Sequence, residues 1–77
     1  MRKKELKLVI TFDSTSDAVG FEAYCTKKSL KGRLIPVPQI ISAGCGMAWC
    51  TDTLDRDLME KAVKDAEVAA EFYECMV

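Results

Sequence analysis

The residue best placed for chemistry is Cys45, which stands between Gly44 and Gly46 at the end of an apolar segment that begins near Pro36. Glycines on both sides remove neighbouring side chains, and backbone N–H groups in such turns can point at an anion. A thiolate or persulfide at this position would be reachable and solvated. We therefore predict that Cys45 is a reactive thiol and that Ser42, Gly44 and Gly46 form its supporting loop.

The other three cysteines, Cys25, Cys50 and Cys75, have different expected roles. Cys25 and Cys75 fall on apolar alternations and are predicted to be core residues, because unpaired cysteine behaves as a small hydrophobe. Cys50 is a weaker candidate for a resolving thiol. In an extended segment the five steps from Cys45 to Cys50 span roughly 16 Å, whereas a disulfide needs Cα atoms within about 7 Å. A resting disulfide between them is therefore not expected.

Several other kinds of site are disfavoured by the residues that the chain lacks. Structural zinc sites usually bring cysteines in close pairs, and these four are widely spaced, so no metal is predicted. The chain has no histidine, which removes the usual base of a cysteine or serine nucleophile. No glycine-rich phosphate loop is present, and no cofactor is expected. What remains is chemistry in which the thiol itself carries the transferred group.

Length and charge narrow the class of protein. A chain of 77 residues has room for one core, so we predict a single domain over residues 1–77 with shallow sites, which self-association could stabilise further. Its formal net charge of -1 gives no reason to expect a nucleic-acid partner. Neither a signal peptide nor a membrane span is recognisable, which predicts a cytoplasmic location without membrane attachment.

One basic cluster surrounds the expected end of the first helix and consists of Lys27, Lys28, Lys31 and Arg33. Cations commonly collect at helix ends, where they favour the helix dipole. We interpret the cluster mainly as a solvated helix end. Arg33 and the nearby lysines could help to hold an anionic sulfur species if the fold brings them close to the thiol.

Alternating apolar side chains predict a first strand over Glu5–Phe12. Side-chain oxygens then favour a helix that begins near Thr15, and Gly32 is its expected stop. Arg33–Val37 is predicted to be a second strand. Because prolines have no backbone N–H, this strand should lie at an edge of the sheet.

The second half of the chain repeats the order strand, helix, strand. A short apolar run predicts a third strand over Met47–Thr51, and Asp52 or Thr53 is the expected cap of the second helix. Glu71–Val77 alternates again and is the expected last strand. The resulting β-α-β-β-α-β order predicts an α+β, ferredoxin-like split βαβ fold, with two helices on one face of a four-stranded, mainly antiparallel sheet.

Three segments of the sequence carry a family resemblance. The run from Val9 to Ala18, the segment Arg33–Pro38 and the run from Ile41 to Ala48 resemble the small bacterial domains of the Se/S carrier protein-like family. The proline-rich strand that leads into Ser-x-x-Cys-Gly is the most specific part. The resemblance implies a carrier of reactive sulfur or selenium, with Cys45 as its loading site.

The leading hypothesis is a persulfide or selenopersulfide carrier rather than a stand-alone enzyme. Its expected partners are a desulfurase-like protein that donates sulfur or selenium and a protein that accepts it. Two alternatives stay open. The chain could be a non-catalytic interaction module in which Cys45 only shapes a turn, or a thiol-disulfide redox protein that uses Cys45 and Cys50.

Overall fold

The computed structural model describes residues 5–38, 40–41 and 46–76. The order of elements is the predicted β-α-β-β-α-β, with one additional short 3-10 turn, η1. The elements are β1 (Leu6–Phe12), α1 (Thr15–Lys27), β2 (Arg33–Pro36), β3 (Met47–Asp52), η1 (Thr53–Asp55), α2 (Arg56–Ala66) and β4 (Ala70–Met76).

The sheet has the strand order β2-β3-β1-β4, and every neighbouring pair is antiparallel. β1 and β3 are central and the proline-bearing β2 lies at an edge, as predicted. The register places Lys7 between Asp52 of β3 and Cys75 of β4, and it pairs Leu6 with Met76. The ferredoxin-like α+β prediction is therefore confirmed.

The main core lies between the sheet and the two helices. α1 begins at Thr15 because the Ser14 side chain accepts a hydrogen bond of 3.1 Å from the backbone N–H of Asp17. Phe21 of α1 packs against Phe12 and, edge to face, against Trp49. Cys25 lies in the same cluster and is completely buried, which confirms its predicted core position. The buried members of this core are Leu8, Ile10, Phe12, Ala18, Phe21, Cys25, Trp49, Met59 and Ala62.

The first helix ends at Lys27, so the prediction that Gly32 stops it was wrong. Ser29 takes the left-handed conformation instead, with φ +57. The N–H of Leu30 bonds to the carbonyl of Cys25 at 2.8 Å, which completes a Schellman-type end.

Gly32 is required for close packing where the chain enters β2, and it does not end α1. Its φ is +132, and an added Cβ would overlap the Trp49 indole and lie 2.8 Å from the Cys50 carbonyl oxygen. Only glycine fits there without strain. The Trp49 Nε1 atom, which abuts this glycine, is buried and has no hydrogen-bond partner among the described residues.

The second helix also begins later than predicted. The expected caps, Asp52 and Thr53, are followed by η1, and α2 starts at Arg56 with Asp55 before it. Neither Asp52 nor Asp55 makes a side-chain cap bond. The Asp55 carboxylate instead accepts a bond of 3.4 Å from the Thr51 hydroxyl, which fixes the 3-10 turn against the end of β3. No helix in the described part of the chain is long and apolar enough to cross a membrane.

Candidate functional site

Between β2 and β3, Ile41 packs on the sheet face that the helices leave open. Ile41 is 8% exposed and belongs to a second apolar cluster with Val9, Ala48 and Cys75. The N–H of Ile41 bonds to the carbonyl of Pro38 at 2.9 Å, which holds this turn. The open face is therefore partly covered, although the alternation of β1 predicts a strand that is buried on one side only.

Both ends of this connection are fixed at the sheet. The N–H of Val37 donates a hydrogen bond of 3.0 Å to the carbonyl of Gly46. It extends the pairing of Pro36 with Met47 by one position. Val37 and Gly46, which lie on either side of this connection, are therefore neighbours at the end of the sheet.

Gly46 is the one predicted loop residue that the structure describes. It is exposed, its φ is +95, and no atom lies within 4 Å of the position that a Cβ would take. This conformation favours glycine, and the space around it is open. The other predicted site residues, Ser42, Gly44 and the candidate thiol Cys45, lie outside the described residues, so their roles stay predictions.

The thiols of Cys25 and Cys75 are both buried and unsuited to nucleophilic chemistry. Burial raises the pKa of Cys25 from 9.0 to about 11. Burial also raises the pKa of Cys75, with a smaller contribution from nearby Cys50. Because the thiolate is the nucleophile, neither side chain is poised for reaction near neutral pH.

Cys50, the predicted resolving thiol, lies in the middle of β3 and is 9% exposed. The register places it between Arg33 of β2 and Val9 of β1. Its neighbour Trp49 points into the helix-side core, so Cys50 belongs to the opposite face of the sheet, the face that Ile41 partly covers. Cys45, its predicted partner in the redox alternative, lies outside the described residues.

Cys50 also lines a cavity of about 490 Å³ that sequence reasoning did not anticipate. At one wall the Lys7 ammonium lies 2.7 Å from an Asp52 oxygen and 3.2 Å from a Glu5 oxygen. The hydrogen bond to Lys7 lowers the pKa of Asp52, and the bonds to Asp52 and Glu5 raise that of Lys7. The one sequence signal for this cavity was the basic cluster around Lys31 and Arg33, which we interpreted mainly as a helix end.

The described residues contain no group of three or more cysteine, aspartate or glutamate side chains arranged to hold a metal ion. The thiols of Cys50 and Cys75 do lie on one face of the sheet, but β1 separates their strands. Among the described residues, the candidate site therefore comprises exposed Gly46 and, separately, the Cys50 thiol with the cations that line its cavity.

Comparison with known families gives one result. The family model described as "Putative Se/S carrier protein-like" matches residues 7–74. This match includes β2, β3, both helices, most of β1 and β4, and position 45. Searches of curated proteins and of solved structures found no match.

Proposed function

The chain belongs to the Se/S carrier protein-like family, and from that premise we propose that it is a small thiol carrier that accepts and delivers reactive sulfur or selenium on Cys45. The observation that carries the proposal is the family match over residues 7–74, which includes the motif cysteine. The carried species is a persulfide or a selenopersulfide. A desulfurase-like protein supplies it, and a second protein receives it.

The condition of the other thiols supports the choice of Cys45. A carrier that held sulfur on several cysteines at once would deliver it without control of position. Cys25 and Cys75 are buried with raised pKa values, so they stay protonated near neutral pH. Protonated thiols are poor nucleophiles, which leaves these two cysteines out of the exchange.

The described residue next to Cys45 also supports the proposal. Gly46 presents no side chain, is exposed, and has open space beside it. A donor protein must bring its own persulfide sulfur into contact with the acceptor thiolate, which requires room for two polypeptides. A larger residue at position 46 would narrow that approach.

The transfer needs no internal base and no cofactor. In loading, the Cys45 thiolate attacks the terminal sulfur of the donor persulfide, the donor S–S bond breaks, and the donor cysteine leaves as a thiolate. In delivery, the acceptor thiolate attacks the terminal sulfur on Cys45, and Cys45 leaves as a thiolate. Each exchange forms one S–S bond and breaks one, so no external oxidant or reductant enters the balance.

The test is to incubate the protein with a cysteine desulfurase and free cysteine and to measure the intact mass. We expect a gain of one sulfur, located by peptide mapping on Cys45. Cys45→Ser should abolish the gain, whereas Cys75→Ala should retain it as the matched control. An adduct that persists in Cys45→Ser, or that is spread equally over all four thiols, would contradict the proposal.

The same protein samples separate the two alternatives. A redox protein that uses Cys45 and Cys50 would lose two thiols per monomer on mild oxidation, and thiol counting measures this directly. An interaction module would bind its partner equally well after Cys45→Ser. A carrier shows neither result, because its partner exchange depends on the thiol.

A further inference from the structure

The cavity beside Cys50 lies on the helix-free face of the sheet, where β2 begins and β3 ends. Its volume of about 490 Å³ falls within the range typical of small-molecule sites. Both charged and apolar groups form its walls. The lining residues are Lys7, Lys31, Gly32, Arg33, Ile35, Cys50, Thr51 and Asp52.

The charges around this cavity do not cancel. Lys7 is neutralised locally, because Asp52 and Glu5 both lie within salt-bridge distance of its ammonium group. Lys31 reaches Asp52 only through a weaker through-space attraction. Arg33 makes no ion pair or side-chain hydrogen bond within the described part of the chain. Three cations and two carboxylates leave one net positive charge, and Lys31 and Arg33 are the cations without a carboxylate within salt-bridge distance among the described residues.

Arg33 is suited to an oxyanion by its geometry. Its guanidinium presents a planar fork of N–H donors that matches the spacing of two oxygens on a carboxylate, sulfate or phosphate. Lys31 adds a second charge from the loop that precedes β2. Because β3 pairs Cys50 directly with Arg33, an anion held by the guanidinium would lie close to this thiol.

Gly32 lies between these two cations in the wall of the cavity. Contact with Trp49 and the carbonyl of Cys50 excludes a side chain at this position. Trp49 lies directly beneath this wall, and it is the only tryptophan in the sequence.

From these contacts we propose that the cavity binds a small dianionic oxyanion of the sulfate and phosphate class, alone or as the charged group of a small metabolite. Arg33 holds two of its oxygens and Lys31 holds a third. Cys50 forms the adjoining wall. This inference goes beyond the carrier role and does not depend on Cys45.

The test is a titration of the whole protein with inorganic sulfate, phosphate and thiosulfate in turn, at ionic strength held constant with chloride. Trp49 fluorescence and amide chemical shifts report occupancy. Arg33→Gln should weaken binding about tenfold, because charge-assisted hydrogen bonds are lost. Arg33→Lys keeps the charge but lacks the planar fork, so its anion affinity should lie between those of the unaltered protein and Arg33→Gln. Lys31→Gln should weaken binding about two- to fivefold.

Lys27→Gln is the matched control, because it removes the same charge from the last turn of α1 and does not line the cavity. It should bind like the unaltered protein. Equal affinity for all three anions indicates a site that accepts any tetrahedral oxyanion of the sulfate and phosphate class. Tighter binding of thiosulfate indicates a site that prefers a sulfur oxyanion. Both results support the site.

Three results would overturn it: no saturable change with any of the three anions, unchanged binding in Arg33→Gln, or equal weakening by Lys27→Gln. The titration is repeated with Cys45→Ser, whose binding should be unchanged. Failure of the oxyanion site and failure of sulfur loading on Cys45 are thus observed separately.

Discussion

Replacing Ile41 by alanine tests whether the turn over the open sheet face is a real part of the fold. Ile41 is 8% exposed and packs with Val9, Ala48 and Cys75. The substitution removes three carbon groups, and each buried group contributes about 0.8 kcal/mol, so the lost burial is about 2.4 kcal/mol. We expect a cost of about 2 to 3 kcal/mol, near the lower end for such truncations because a small surface cluster can collapse.

The neighbouring residue supplies the matched control. Ile40 has the same side chain but is 76% exposed, so Ile40→Ala should change the free energy of unfolding by less than about 0.5 kcal/mol. Urea denaturation followed by Trp49 fluorescence measures both variants. For a domain of this size, 2 kcal/mol corresponds to a fall in Tm of roughly 8 to 16 °C.

A second readout checks that the effect is local. Ile41 shares its cluster with Cys75, so Ile41→Ala should speed alkylation of Cys75 while the labelling of Cys25 in the other core stays slow. If Ile40→Ala and Ile41→Ala cost the same, or if Cys75 labelling does not change, the described covering of the sheet is wrong.

Three further outcomes are expected. Gly32→Ala should lower the free energy of unfolding by about 2 to 5 kcal/mol in denaturant titration, because positive-φ strain adds to overlap with Trp49. Gly20→Ala in α1 has open space around it and should raise that free energy by up to about 1 kcal/mol, so changes of the same sign in the two variants would refute the argument. Ser14→Ala should cost about 1 kcal/mol through loss of the helix cap, and an unchanged melt would contradict it. Burial raises the pKa of Cys25 from 9.0 to about 11, so the folded state holds this proton more tightly and the free energy of unfolding should fall by about 2 kcal/mol as pH rises from 9 to 11. Cys25→Ala should flatten this slope in melts across that pH range.

The order of strands and helices was predictable because it depends on local periodicity. The alternation of β1 and the prolines of β2 each restrict the backbone within a few residues. These restrictions sufficed to place β2 at the edge of the sheet.

The misplaced boundaries depended on contacts between distant residues. Gly32 is required by Trp49, seventeen positions later, and not by the helix before it. Ser29 could end α1 in its place because a single left-handed residue costs little beside two carbonyl bonds. Similarly, the bond from Thr51 to Asp55 favours a 3-10 turn that no capping pattern indicates.

The candidate site was predictable only in part. The glycine-flanked thiol is visible in the sequence because its neighbours are adjacent in the chain. The cavity needs Lys7, Lys31 and Cys50 from three separate segments, and only the sheet register brings them together. Val9 is an apolar residue on the otherwise polar side of β1. It was the remaining sign in the sequence that this face of the sheet is covered.

The pairing of Leu6 with Met76 brings both of these residues to one end of the sheet, where the protein can be attached to a support or to a fusion partner. β1 runs from Leu6 toward Phe12, and Ala48, two residues after Gly46, pairs beside its far end at Thr11. At about 3.3 Å per residue, Gly46 lies roughly 20 Å along the sheet from that pair. A resin or a fluorescent reporter anchored beside Leu6 or Met76 would therefore leave the end of the sheet at Gly46 free for capture experiments.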